Sequence, residues 1–194
     1  RSKAIMKNCN IHGYKGSISN QAALNIKENV DFIIDRVTVY GNEIAFRLRA
    51  PSLVTVKNAV IYDNTKSVRY EDGISNLKIY HSTFGLGNSN LFQNVGGSNF
   101  DIRNNIFVGT SKPSEADEPS NKAINSNDFI DTAQSDYHLK PGSQAIDSGV
   151  VINTVQTDRD GVARPQGNGY DVGAYEFVGN ANETDTTPPL RSNG

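Results

Sequence analysis

The chain has almost no cysteine. Cys9 is the only one among 194 residues, which excludes an intrachain disulfide framework. It also lacks an excess of either charge, with 19 Lys and Arg against 21 Asp and Glu, a net −2. Such a balance offers no global attraction to nucleic acid or to a membrane surface. No apolar run approaches the ~20 residues of a helical membrane span, and the residues from Arg1 onward do not read as a signal peptide. Helical periodicity, with apolar residues three and four apart, is missing throughout. The first residue is Arg1 rather than Met, inside what reads as a repeat. We therefore expect a processed piece or the C-terminal part of a longer coil.

What is present is one short phrase, repeated. It reads AIMKNCNIHG (Ala4–Gly13), FIIDRVTVYG (Phe32–Gly41), VTVKNAVIYD (Val54–Asp63), LKIYHSTFGL (Leu77–Leu86) and FDIRNNIFVG (Phe100–Gly109). Aligned on Met6, Ile34, Val56, Ile79 and Ile102, the steps are 28, 22, 23 and 23 residues. The polar, Gly-containing excursion Gly13–Ala22 accounts for the longer first step. A second strand signal recurs once per repeat: Leu24, Phe46, Val68 and Leu91 follow one another at 22, 22 and 23 residues. A fixed period of this size means stacked supersecondary units.

A unit of ~22 residues at ~3.3 Å each traces roughly 73 Å of chain, enough for one closed coil with three short faces. Stacked coils pair every strand with the equivalent strand above and below. We therefore predict an all-β, right-handed parallel β-helix of about five turns over residues 1–110. A loop and a C-terminal closing segment, together a loop-rich cap, follow over 111–179, and a flexible linker or tail over 180–194. The hydrophobic share of 36% and charged share of 21% suit an elongated domain with much surface.

Alternation assigns the faces. Ala4, Phe32, Val54, Leu77 and Phe100 point inward, with the Met6 and Ile11 columns. Cys9 shares a small-residue position with Val37, Ala59, Ser82 and Asn105 and reads as a buried small hydrophobe. The bend carries Asn8, Arg36, Asn58, His81 and Asn104. Asn tolerates the left-handed conformation, and stacked amides form hydrogen-bonded ladders; Arg36 and His81 would interrupt this one. The edge of the first coil has no visible cap, so we expect an upstream segment of the same polypeptide, or another chain, to cover it. Residues 110–128 read as a loop, and PGSQAID (Pro141–Asp147) as a brief capped helical turn. Asn182-Glu183-Thr184 fits a glycosylation sequon.

The phrase SDYHLKPGSQAIDSG (Ser135–Gly149), followed by TDRDGVARPQGNGYDVGAYEF (Thr157–Phe177), resembles the C-terminal closing segment of many secreted right-handed parallel β-helix proteins. These form the pectate-lyase-like superfamily, mostly microbial and carbohydrate-active. The family includes polysaccharide lyases, uronan epimerases and some glycoside hydrolases. The resemblance thus implies an extracellular or cell-surface protein and a polysaccharide partner.

Outward residues at equivalent positions form columns. Lys7, Asp35, Lys57, Tyr80 and Arg103 make one; Lys57, Tyr80 and Arg103 should lie ~5 Å apart in succession. Cleavage of a uronic-acid polymer by β-elimination needs a cation on the carboxylate, a base for the α proton and an acid for the leaving oxygen. These three residues contain the types, with Arg103 as neutraliser and Lys57 or Tyr80 as base. A second column holds Asn25, Arg47, Arg69 and Phe92. Stacked Arg47 and Arg69 repel unless an acid flanks them or an anion bridges them, and Arg clamps a carboxylate through paired hydrogen bonds. They are candidate substrate-binding residues. His81 is a third, against the simpler reading of a bend residue with a local hydrogen bond.

Hydrolysis instead needs two carboxyl groups ~5–9 Å apart, for which Asp35, Asp63, Glu71, Asp72 and Asp101 are available. A non-catalytic binding or structural coil is the remaining alternative. The sequence assigns no metal-ligand residues and no certain cofactor. Asp158-Arg159-Asp160-Gly161 resembles the opening of a calcium loop, so Ca2+ is the one ion worth testing, but Val162, Ala163 and Arg164 stand where further oxygen ligands are needed. We expect Arg164 to pair with Asp158, Asp160 or Asp171 and pin the closing loop over the end of the coil.

Overall fold

The computed structural model describes residues 1–16, 21–27, 29–49, 51–71, 76–94 and 99–179. Asp72, Gly73, part of the Gly13–Ala22 excursion, the sequon and the proposed tail lie outside them, wholly or in part. The repeat builds three parallel sheets. The first holds β1 (Ser2–Lys7), β4 (Val30–Asp35), β7 (Leu53–Lys57), β10 (Asn76–Tyr80) and β13 (Asn99–Arg103). The second holds β2 (Asn10–His12), β5 (Thr38–Tyr40), β8 (Val60–Tyr62), β11 (Thr83–Phe84), β14 (Ile106–Val108) and β15 (Lys122–Ile124). The third holds β3 (Ala22–Ile26), β6 (Ile44–Leu48), β9 (Lys66–Tyr70) and β12 (Asn90–Asn94). Each strand pairs with its equivalent in the next coil, so the chain is a parallel β-helix.

The expected register holds on the first sheet. Met6 pairs with Ile34, Ile34 with Val56, Val56 with Ile79 and Ile79 with Ile102. Ile34, Val56, Ile79 and Ile102 are buried, as are Val39, Ile61, Phe84 and Phe107 from the second sheet and Phe46 and Val68 from the third. Val37, Ala59, Ser82 and Asn105 are fully buried, and Cys9 is partly buried against the same core. Alternation fills one continuous core because every coil puts the same parity of residue inside.

The third sheet departs from expectation at its last strand. Val68 pairs with Phe92, not Leu91, and Arg69 with Gln93. The cause is one extra residue at the preceding corner. The Asn64 amide reaches the Tyr62 carbonyl two residues back, whereas the equivalent Asn88 amide reaches Gly85, three back. Gly87, with φ +79°, absorbs the insertion.

The bend residues Asn8, Arg36, Asn58, His81 and Asn104 all have φ between 46° and 57°, a region Asn enters at least cost. No amide ladder forms among them. Asn58 donates to Asp35 and Asn104 meets His81, because their nearest bend neighbours are not amides. The ladders form elsewhere: Asn42 donates to Asn64 Oδ1 at 2.9 Å, and Asn64 to Asn88 Oδ1 at 3.2 Å. Another joins Asn105 to Asn121 at 3.0 Å. Consecutive coils supply an amide at these corners, so each can donate and accept.

The closing segment does not lie over the end of the coil. It runs along the flank, from the fifth bend back to the second. Asn104 exchanges hydrogen bonds with the Val150 backbone, His81 Nδ1 meets the Asp171 carbonyl, and Arg164 reaches Asn58 and the Gly173 carbonyl. Arg36 donates to Thr157 and Arg159 to Thr38. Arg164 pairs with Glu176 at 2.5 Å, both side chains fully buried, rather than with the three Asp expected. Val172, Ala174, Leu139, β16 (Phe129–Asp131) and β17 (Asp136–Leu139) pack with Val60, Ile106 and Val108 of the second sheet in a second apolar layer. At the C-terminal end, part of 110–128 does the covering. Ala116 enters the main core, and Tyr70 donates to Glu115 at 2.9 Å. That stretch also contributes β15. Residues 144–147 form a turn, not a helix.

At the other end β1, β2 and β3 are terminal strands of their sheets. Met6, Ile11 and Leu24 are only partly buried there, and Ile5 is exposed.

Candidate functional site

Sheet alternation turns Thr55, Lys57, Lys78, Tyr80, Asp101 and Arg103 outward from three adjacent strands. Tyr80 is directly in register with Lys57 on one side and Arg103 on the other. With Ile33 below and Val151–Thr154 of the closing segment as a wall, they line a groove of about 520 Å3. A second hollow of about 420 Å3 shares Thr55 and Lys78 with it and adds Asp31, Leu53 and Asn76. The trough therefore follows the strands. Three cations, Lys57, Lys78 and Arg103, face one anion, Asp101, around the first hollow.

Asp101 organises the deep side. Arg103 donates from Nε to Asp101 Oδ1 at 2.6 Å and from Nη2 to Oδ2 at 3.0 Å. Tyr80 donates its hydroxyl to Asp101 Oδ2 at 2.5 Å. The Arg103 guanidinium carbon stands 5.2 Å from the centre of the Tyr80 ring, within cation–π range. Ile152 and Val155 pack against Tyr80, which is 4% exposed. Burial pushes the Tyr80 phenol above its ordinary value, and the bond to Asp101 adds to this. Burial also favours the neutral Asp101 acid, but hydrogen bonds from Arg103 and Tyr80 outweigh it and hold the carboxyl below its usual range. The bonds to Asp101 hold Arg103 protonated against the effect of burial. Lys57 donates to the Thr154 carbonyl at 3.3 Å and lies 3.7 Å from Asp35.

The three expected catalytic residues thus share one groove. The expected binding residues do not join them. Arg47 and Arg69 are in register on the third sheet, a different face. Glu71 lies among them: Arg47 reaches it at 2.7 Å, Arg49 at 2.8 Å and Arg69 at 3.8 Å. An internal acid therefore flanks that column. His81 is fully buried, held between the Asp171 carbonyl and Asn104. Burial and the Arg164 charge keep it well below its ordinary pKa. It cannot touch a ligand and belongs to the bend.

Lys78 and the 151–154 wall join the groove beyond the three expected residues, and Asp101, a candidate carboxyl for hydrolysis, lines it too. The alternation that exposes Tyr80 and Arg103 also exposes Lys78 and Asp101, two residues earlier, so that signal was in the sequence. The Asp158–Gly161 stretch does not suit a calcium ion. Asp158 spends Oδ1 on the backbone N–H groups of Asp160 and Val162 and Oδ2 on that of Glu176. Asp160 is engaged by His138.

No known protein family matches the chain, no curated protein matches it, and no solved structure does so. Among the described residues no helix is long and apolar enough to cross a membrane.

Proposed function

We propose that this protein degrades an acidic, uronic-acid-containing polysaccharide outside the cell or at its surface, by β-elimination in the groove of the first sheet. The carrying observation is that Lys57, Tyr80 and Arg103, from three adjacent strands, line one groove with an excess of positive charge. The resemblance of the closing segment to those of secreted carbohydrate-active β-helix proteins supports the same reading.

In this reading Arg103 and Lys78 hold the substrate carboxylate and make the neighbouring C–H acidic. Lys57 takes that proton, and the electron pair becomes a carbon–carbon double bond as the bond to the leaving oxygen breaks. Tyr80 supplies the proton to that oxygen. Its raised pKa keeps the hydroxyl protonated, so it has a proton to give and does not serve as the base. A hydrolase is less well supported. Asp35 and Asp101 stand three strands apart, roughly 14 Å at the usual spacing, beyond the reach that hydrolysis allows. A non-catalytic binding module is favoured by one observation: two Arg103 nitrogens are already committed to Asp101.

The test is to mix the protein with uronic-acid polymers. Growth of ultraviolet absorbance from an unsaturated product supports elimination. New reducing ends without that absorbance mean hydrolysis, and binding without either means a binding module. The part-buried edge formed by β1, β2 and β3 fits a covering partner, an upstream segment of the polypeptide or another chain.

A further inference from the structure

His138 lies outside the groove, on β17. Its Nδ1 is 2.6 Å from Asp136 Oδ1 on the same strand, and its Nε2 is 2.8 Å from Asp160 Oδ2 on the closing segment. A carboxylate only accepts, so both contacts are hydrogen bonds only when both ring nitrogens carry a proton. The ring also lies 3.9 Å from that of Tyr175. Beside it is a hollow of about 320 Å3 lined by Asp158, Asp160 and Glu176 among apolar side chains.

We propose that the Asp136–His138–Asp160 bridge is a pH-sensitive pin that fastens the closing segment when His138 is an imidazolium and loosens it when the ring is neutral. The other charged neighbours are engaged elsewhere. Asp158 is spent on three backbone N–H groups, and Glu176 is paired with Arg164. Burial pushes the Tyr175 phenol up to about 12, while Arg159 opposes the rise, so it stays neutral. Burial lowers the pKa of His138, but the bonds to Asp160 and Asp136 outweigh that and raise it above the ordinary value. A raised histidine pKa gives stability that is complete below the unfolded value and lost as pH climbs through the folded one. Arg159, immediately before Asp160, ties the same loop to Thr38. Loosening therefore begins at the second coil and frees the flank locally, independently of what the groove does.

The chain has 3 histidines, so ring signals are assignable by NMR. In the intact protein we expect His138 to titrate above ~6.5, and Asp136→Asn and Asp160→Asn each to lower that midpoint. Amide exchange at Asp160 and Val162, corrected for the intrinsic pH effect, should accelerate several-fold above the midpoint. His138→Gln should abolish that pH dependence. A midpoint at or below the ordinary value, or corrected exchange equal on both sides of it, overturns the proposal. Should His138→Gln fail to fold, the titration and exchange of the unaltered chain still decide.

Discussion

Asp101 shows how one side chain sets the state of its neighbours. It accepts from Arg103 and Tyr80 together, so it holds the cation in place and keeps the phenol protonated. Replacing it with Asn removes the charge and should lower the Tyr80 pKa, read as tyrosinate absorbance during alkaline titration. An unchanged midpoint would mean that burial alone sets it. Arg103→Ala should weaken uronate binding by roughly 1.5–3 kcal/mol, the usual worth of a charge-assisted hydrogen bond, as measured by calorimetry. Gly85 illustrates a different constraint. A Cβ there would meet the Tyr137 ring at 2.3 Å, where the tyrosine hydroxyl accepts from the Leu86 N–H. Gly85→Ala should therefore cost about 1–3 kcal/mol of stability, visible as a lower denaturant midpoint.

At the scale of elements, the corners carry as much specificity as the strands. Asn64 is buried and donates to Val39, Tyr62 and Asn88 while accepting from Asn42. Asn64→Ala leaves several of those groups unpaired, and we expect a loss of about 1–3 kcal/mol or more in denaturant unfolding. The same corner explains the slip at β12. A pattern of apolar residues aligns Leu91 with Val68 as readily as Phe92, and only the extra residue beside Gly87 decides between them. β15 was hidden for a related reason. It is three residues long with Lys122 at its start, and its place follows from Asn121 continuing a ladder rather than from its own composition.

For the whole molecule, the closing segment is a strap along the coil. It buries the outer side of the second sheet, walls the groove and encloses the Arg164–Glu176 pair. Arg164→Met would leave Glu176 buried without its cation, at a cost of about 3–5 kcal/mol; adding Glu176→Gln should recover part of it, measured by thermal unfolding. Burial raises Asp171 to about 6, although backbone N–H groups from Phe177 and Asp147 oppose the rise. Above its unfolded value of ~3.9 the native state then holds the extra proton, so stability falls as pH rises from there through about 6. Glu71 and Asp101 are lowered, despite the opposing effect of burial, and contribute the opposite trend, lost as acid protonates them. Buried neutral His81 adds to that acid-side loss, because the unfolded imidazole takes up a proton that the native one does not. Asp171→Asn should remove part of the opposite loss between ~4 and ~6, measured by denaturant unfolding.

The chain alone determined the coil and the register of Met6, Ile34, Val56, Ile79 and Ile102. It also determined which face of the first sheet carries Lys57, Tyr80 and Arg103. These follow from period and alternation, which are local and repeat in every copy. Tertiary structure alone decided where the strap lies, that Glu176 is Arg164's partner, that Glu71 quiets Arg47, and that Val151–Thr154 closes one side of the groove. Each depends on a contact between segments far apart in sequence and without a shared repeat, so no spacing along the chain could announce it.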